Sequence, residues 1–299
     1  MEVIWIHFSS LEFYYSIEKF LVIFFGLLFF YLLYLFYKRV RPDPKIMTAL
    51  LSVLTFLSYT LVVGLLSYLT CTLNLPLIDS TLATIDGDMG FSSLNLVLMF
   101  RQHMWLYIFF GITYDVFLIL PCFILLYFVF LGNPLYFQRF LMQYIIASFL
   151  TVLIAGFLPA AGPYVWYHYT PTPELQGALD RFYELRNHIV DIRQGNGVVT
   201  LPSFHTIASC LYIYAFRHEK KIIFIPILIL NLLIIFSCLP IGQHYLADIL
   251  AGIVVFGATV AIEQLIFWSV QKHGEPLGSP FQKNNMPKHA VQNTKGLSS

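Results

Sequence analysis

Long apolar runs constrain this chain more than any other feature of its sequence. A helix needs about 20 predominantly apolar residues to cross the hydrocarbon layer of a bilayer. Seven runs approach or exceed that length, although the fifth is short. They are Phe20–Tyr37, Met47–Leu69, Trp105–Leu131, Phe140–Leu158, Leu201–Phe216, Ile222–Leu239 and Leu246–Trp268. The runs predict an all-α, multispan transmembrane helical bundle of about seven spans, with a six-span core and an extra N-terminal helix.

Composition agrees with a membrane protein and excludes some functions. Hydrophobic residues make up 58% of the chain and charged residues 11%, whereas about a quarter of a soluble domain is charged. A net charge of +1 gives no broad basic surface for nucleic acid. The four cysteines form no CxxC pair, so they indicate no thiolate metal site.

We expect three parts along the chain. Residues 1–44 comprise an aromatic-rich interfacial segment and the extra transmembrane helix, and residues 45–270 form the six-span core. Residues 271–299 are polar and contain Pro and Gly, which predicts a disordered tail. The first apolar run is not a cleaved signal peptide, because its positive charges follow the run instead of preceding it.

Lysine and arginine predict the orientation. They are found in the connections after the first, third, fifth and seventh runs, and such connections usually face the cytoplasm. The amino terminus, the 71–104 and 159–200 loops and the "LPIGQHY" turn are then extracytoplasmic. We therefore expect a multi-pass protein of a bacterial inner membrane, with any site in these loops on the extracytoplasmic side.

Two short polar motifs interrupt the apolar pattern at outer ends of spans. "PSFH" places His205 at the start of the fifth span, and "HYLAD" places His244 and Asp248 at the start of the seventh. A spacing of four residues puts His244 and Asp248 on one face of a helix, one turn apart. The topology predicts that all three side chains meet at one membrane depth.

This set of residues suits phosphoryl transfer. One histidine can act as a nucleophile while a carboxylate fixes its tautomer, a role that Asp248 can fill for His244. His205 can give a proton to the leaving oxygen. Ser203 and the free N–H groups that open the fifth span can bind phosphate oxygens. No cofactor or metal is expected.

The two motifs resemble the second and third signature motifs of the phosphatidic acid phosphatase type 2 superfamily. They are most similar to the branch that contains inositol phosphorylceramide and sphingomyelin synthases. The resemblance covers roughly Lys45 to Lys272. It implies that His205 is the general acid, His244 the nucleophile and Asp248 its partner.

The chain also departs from the phosphatase pattern. Phe204 replaces the glycine of Pro-Ser-Gly-His, and Ser237–Cys238 replaces the Ser-Arg pair that precedes the third motif. The first motif, Lys-x6-Arg-Pro, has no counterpart. Arg193 is the candidate substitute for the missing cations, followed by Arg186 and His188. The synthase branch also lacks these arginines, which favours that branch.

The expected function is an outer-leaflet lipid phosphotransferase or phosphatase, inositolphosphotransferase-like, that works through a phosphohistidine. Its partners are a phosphorylated membrane lipid and an acceptor, which is a lipid hydroxyl or water. An alternative is hydrolysis of phosphatidic acid or an isoprenyl pyrophosphate. An alternative of another class is a transporter or scaffold, in which the histidines only hydrogen-bond to backbone and Asp248 stabilises the start of its helix.

Asp115, inside the third run, has a structural or a functional interpretation, and we leave it out of the catalytic set.

Overall fold

A computed structural model describes residues 10–132, 134–193 and 197–272. The helices are α1 (Ile17–Arg39), α2 (Pro44–Cys71), α3 (Asp79–Asp88), α4 (Ser93–Gln102), α5 (Met104–Val116), α6 (Leu120–Phe130), α7 (Pro134–Phe157), α8 (Pro163–Trp166), α9 (Pro173–Arg186), α10 (Phe204–Phe216), α11 (Lys221–Ser237) and α12 (Leu246–Lys272). Two short strands, β1 (Glu12–Tyr14) and β2 (Ile189–Asp191), pair in parallel. The predicted all-α multispan fold is confirmed.

Fewer helices than predicted have the length of a complete span. Within the described ranges, four are long and apolar enough: α1, α2, α7 and α12. The pair α4 and α5, bent by 115°, passes the same test together and gives a fifth candidate. The apolar helices α6, α10 and α11 are shorter, so the predicted count of seven is reached only if short helices are included.

The predicted third span, Trp105–Leu131, is not one continuous helix. α5 ends at Val116 and α6 begins at Leu120, with turns between them. Pro121 lies in the first turn of α6. A proline ring clashes with the carbonyl four residues earlier, here that of Phe117, and so prevents a helix from continuing through this point.

Helix α10 lies in the hydrophobic core. Ile207, Leu211, Tyr212 and Phe216 on this helix have no exposed surface, and α10 packs against α7 and α11. Helix α1 differs, because none of its residues is buried. It packs against α2, which fits a helix added to the outside of a core.

Loop segments distant in sequence meet on one side of the structure. Strand β1 precedes α1, and its partner β2 lies between α7 and α10. Asp79, in the 71–104 loop, accepts hydrogen bonds from the Ala161 and Gly162 backbone and from the Tyr245 hydroxyl. The amino-terminal segment and the three predicted outer loops therefore share one side.

The chain divides into two compact units, Met1–Thr259 and Val260–Ser299. The described part of the second unit is the end of α12, residues 260–272. The predicted three-part division at residues 44 and 270 stays a prediction. Of the predicted tail, residues 271 and 272 belong to α12, and residues 273–299 lie outside the described residues. Residues 1–9 of the predicted interfacial segment also lie outside them.

Candidate active site

His244 and Asp248 face each other at the start of α12. His244 Nδ1 lies 3.4 Å from Asp248 Oδ2, a contact longer than most hydrogen bonds to a charged group. The same oxygen accepts the Tyr245 backbone N–H at 2.9 Å. Asp248 has no exposed surface and His244 is 3% exposed. The carboxylate is therefore placed to orient the imidazole, and Nε2 is the ring nitrogen that does not face it.

His205 lies in the first turn of α10, between two aromatic side chains. Its ring stacks on Tyr114, with centroids 3.9 Å apart, and lies 4.2 Å from the Phe117 ring. The centroids of the His205 and His244 rings are 6.1 Å apart. At this separation, a phosphoryl group between the rings would be close enough for one histidine to attack phosphorus and the other to protonate the leaving oxygen.

Ser203 ties α10 to α12. Its hydroxyl is the N-cap of α10 and accepts from Thr206 N at 3.4 Å, and its own N–H donates to the Asp248 carbonyl at 3.1 Å. A Cβ at Gly252 would lie 2.9 Å from the Ser203 carbonyl oxygen. Only glycine permits this close approach. The Ser203 hydroxyl also donates to Cys238 Sγ at 3.9 Å, and its role in binding phosphate stays a prediction.

The predicted basic residues hold the outer loops together. Arg193 donates from its side chain to both carboxylate oxygens of Asp191, at 2.9 and 2.8 Å, and these hydrogen bonds hold the pKa of Asp191 well below its usual range. Arg186 donates to the Leu75 carbonyl at 2.9 Å. His188 is exposed, with a positive φ of 65°. In the described ranges, none of these contacts joins the three residues to His205 or His244, and their role in substrate binding stays a prediction.

Arg101 is a cation that the sequence analysis missed. It ends α4, and its guanidinium lies 5.3 Å from the ring of Tyr169. The Tyr169 hydroxyl donates to the Gly242 carbonyl at 2.6 Å, two residues before His244. The Nε atom of Arg101 is buried without a hydrogen-bond partner among the described residues. This N–H is available to donate to an anionic ligand or to an ordered water.

The aromatic neighbours of His205 were also missed, because they belong to a helix far away in sequence. Tyr114 donates from its hydroxyl to Gln243 Oε1 at 2.8 Å, so it contacts one histidine and the neighbour of the other. Asp115, beside it, is exposed. The only signal in the sequence for these aromatic neighbours was Pro121, which interrupts the predicted continuous helix near Phe117.

A cleft reaches His244 from the loop side of the site. Its walls come from α8, α9 and the extended segment before Ser203. Residues that line it include Ala161, Tyr164, Ala178, Val198, Thr200 and Gln243. The cleft therefore gives access to His244 between loop residues. Apolar helices flank the same site.

Comparison with known proteins gives one result. The family model described as the PAP2 superfamily matches residues 80–262, a range that includes His205, His244, Asp248 and Arg101. No curated protein and no solved structure matches the chain significantly.

Proposed function

This chain belongs to the PAP2 superfamily of membrane phosphatases and phosphotransferases, and from that premise we propose that it transfers a phosphate-linked headgroup between lipids through a phosphohistidine on His244. The branch to which we assign it is that of the inositol phosphorylceramide and sphingomyelin synthases. The observation that carries the proposal is the 6.1 Å separation of the His205 and His244 ring centroids, with Asp248 behind the second ring.

The proposed reaction has two displacements at phosphorus. His244 Nε2 attacks the phosphorus of a donor lipid, the bond to the diacylglycerol oxygen breaks, and His205 gives that oxygen its proton. The acceptor hydroxyl then returns a proton to His205 and attacks the phosphohistidine, which frees His244. Asp248 holds the Nδ1 proton and stabilises the positive charge that develops on the ring.

The position of His205 favours a lipid acceptor over water. Helix α10 has 13 residues, which span about 20 Å, whereas the hydrocarbon layer is about 30 Å thick. If α10 ends at the cytoplasmic boundary, His205 lies below the outer headgroups. An alcohol carried by a membrane lipid reaches that depth with its chain in the bilayer, and a site that excludes water protects the phosphohistidine from hydrolysis.

Hydrolysis is the second candidate function, and the cleft beside His244 supports it. The cleft opens among loop residues, which gives water a route to the histidine. Phosphatidic acid and isoprenyl pyrophosphates are the substrates that this function predicts. We place both reactions on the extracytoplasmic side of a bacterial inner membrane, as the positive charges of the predicted inner loops indicate.

The proposal predicts headgroup transfer by the purified full-length chain in proteoliposomes. With phosphatidylinositol as donor and ceramide as acceptor, we expect mass spectrometry to detect inositol phosphorylceramide and diacylglycerol in equal amounts. Parallel vesicles contain phosphatidic acid or an isoprenyl pyrophosphate and no acceptor. Release of inorganic phosphate alone would identify a hydrolase, and movement of unaltered lipid across the vesicle membrane would identify a transporter. Either result contradicts headgroup transfer.

Arg101 is the cation that we propose for the phosphate of the donor. Replacing Arg101 by alanine is expected to raise KM for the donor about 10- to 100-fold, because a hydrogen bond to a charged group contributes about 1.5–3 kcal/mol. Initial rates in mixed micelles measure this effect. Arg193→Ala is the comparison, because Arg193 is the cation favoured by the sequence and its guanidinium already pairs with Asp191. A larger KM effect for Arg193 than for Arg101 would reverse the assignment.

A further inference from the structure

Two buried carboxylates lie on one face of the outer helix α3. Asp79 and Asp86 are seven residues apart, which is about two helical turns, and they are 5% and 0% exposed. Burying a carboxylate costs free energy unless hydrogen bonds or charges offset the lost hydration. Each of the two is offset by three donors, and those from residues 245–247 lie between the proposed catalytic residues His244 and Asp248.

Asp86 caps the helix that carries Asp248. Its Oδ2 accepts Leu246 N–H and its Oδ1 accepts Ala247 N–H, both at 2.9 Å. A helix leaves its first N–H groups without intrahelical acceptors. For α12, the Asp86 carboxylate, which belongs to a distant helix, supplies two of these acceptors. The Ser93 hydroxyl also donates to Asp86, at 3.3 Å.

Asp79 holds the residue next to His244. Its Oδ1 accepts the Tyr245 hydroxyl at 3.0 Å and Gly162 N–H at 2.8 Å, and its Oδ2 accepts Ala161 N–H at 2.9 Å. Tyr245 is thereby fixed at two points, because its own N–H donates to Asp248. Tyr245, Leu246 and Ala247 are thus held by Asp79, Asp86 and Asp248. His244 directly precedes these three residues in the chain, and Asp248 directly follows them.

We propose that Asp79 and Asp86 are positioning residues that set the alignment of His244 with Asp248. This inference rests on the proposed function. Neither residue has to touch the substrate, since each acts through the backbone and side chains of residues 245–247. Two side chains of α3 thus act on the site, although the helix lies outside the predicted spans and carries none of the predicted site residues.

The same contacts direct where an anionic substrate binds. N–H groups at the start of a helix normally attract phosphate, but those of Leu246 and Ala247 are already bound to Asp86. Asp79, Asp86 and Asp248 also place negative charge around the start of α12, which repels an anion. A phosphate group is thus favoured away from these carboxylates, beside His205, whose ring centroid lies 6.1 Å from that of His244.

The test replaces each carboxylate by its amide in the full-length protein. Asp86→Asn changes one hydrogen-bond acceptor into a donor that faces an N–H group. We expect kcat to fall about 10- to 100-fold, as for a small misplacement of reacting groups. KM should change less than about threefold. Asp79→Asn is expected to behave similarly. Asp88→Asn is the matched control, because Asp88 ends the same helix and is exposed, and its kcat should equal that of the unaltered protein.

A readout other than activity separates this inference from the proposed function. In hydrogen–deuterium exchange, the amides of Leu246 and Ala247 should exchange at least about fivefold faster in Asp86→Asn than in Asp88→Asn, because one hydrogen bond contributes about 1 kcal/mol. Tyr245→Phe removes a single contact with Asp79. Its effect on kcat should not add to that of Asp79→Asn, as expected for two residues that act through one interaction.

Three outcomes are decisive. Unchanged amide exchange, or unchanged kcat in a folded Asp86→Asn protein, overturns the inference. If an asparagine variant elutes as an aggregate in size-exclusion chromatography, Tyr245→Phe takes its place, and an unchanged kcat in that variant has the same consequence. If the unaltered protein transfers no headgroup, the proposed function fails, whereas faster exchange at residues 246–247 would still show that Asp86 holds the start of α12.

Discussion

Replacing His244 by alanine is expected to reduce headgroup transfer at least about a thousandfold, as loss of a nucleophile does in other covalent enzymes. His244 is the histidine with a carboxylate behind Nδ1, at 3.4 Å, so its Nε2 is the atom we expect to bond to phosphorus. Donor lipid with a labelled headgroup should also leave label on the unaltered protein after an acid-free quench. The His244→Ala protein should carry none.

The matched control for this experiment is His218→Ala. His218 is exposed and follows the end of α10 that is opposite to His205. It stacks on Tyr136, with ring centroids 5.7 Å apart, and takes no part in the proposed chemistry. Its replacement should leave both the transfer rate and the labelling unchanged. Labelling that persists in His244→Ala would assign the nucleophile to another residue.

Replacing His205 by alanine is the second large expected effect, and its size should depend on the leaving group. General acid catalysis contributes about 10²- to 10⁴-fold, so transfer from phosphatidylinositol should fall by that factor. A p-nitrophenyl phosphodiester of inositol loses p-nitrophenolate, which leaves without being protonated. With that donor, the first displacement should fall much less, and labelled His244 should accumulate.

The alternative for His205 is that it only positions substrate. In that case the loss would be equal with the two donors, and no labelled protein would accumulate. Initial-rate measurements of p-nitrophenolate release compare the variants directly. The aromatic rings of Tyr114 and Phe117 pack against His205 and keep the imidazole in place.

The fold class could be predicted from the sequence because it depends on properties of short segments of the chain. Hydrophobic length identifies a span without knowledge of its neighbours, and the i, i+4 spacing of His244 and Asp248 puts both on one helix face. Topology then brought His205 to the same end of the bundle. The first two steps use residues that are close together in the chain. The third uses the alternation of successive loops between the two sides of the membrane.

What the sequence did not predict depends on contacts between distant segments. Asp86 and Leu246 are 160 positions apart, and neither has a neighbour that signals the other. Arg101 was missed for the same reason, since its link to the site passes through Tyr169 in another loop. The span count also differed, because a helix such as α10 that begins inside the protein does not have to match the thickness of the bilayer. Pro121 was the one local signal that we could have used, for the interruption between α5 and α6.

The contact at Gly252 restricts how the site can change shape. A side chain at Gly252 would collide with the Ser203 carbonyl and the Thr206 side chain, and Ser203 N–H binds the Asp248 carbonyl. Relative sliding of these two helices would break that bond and separate the histidines. The contact at Gly252 therefore fixes where His205 and His244 stand relative to each other.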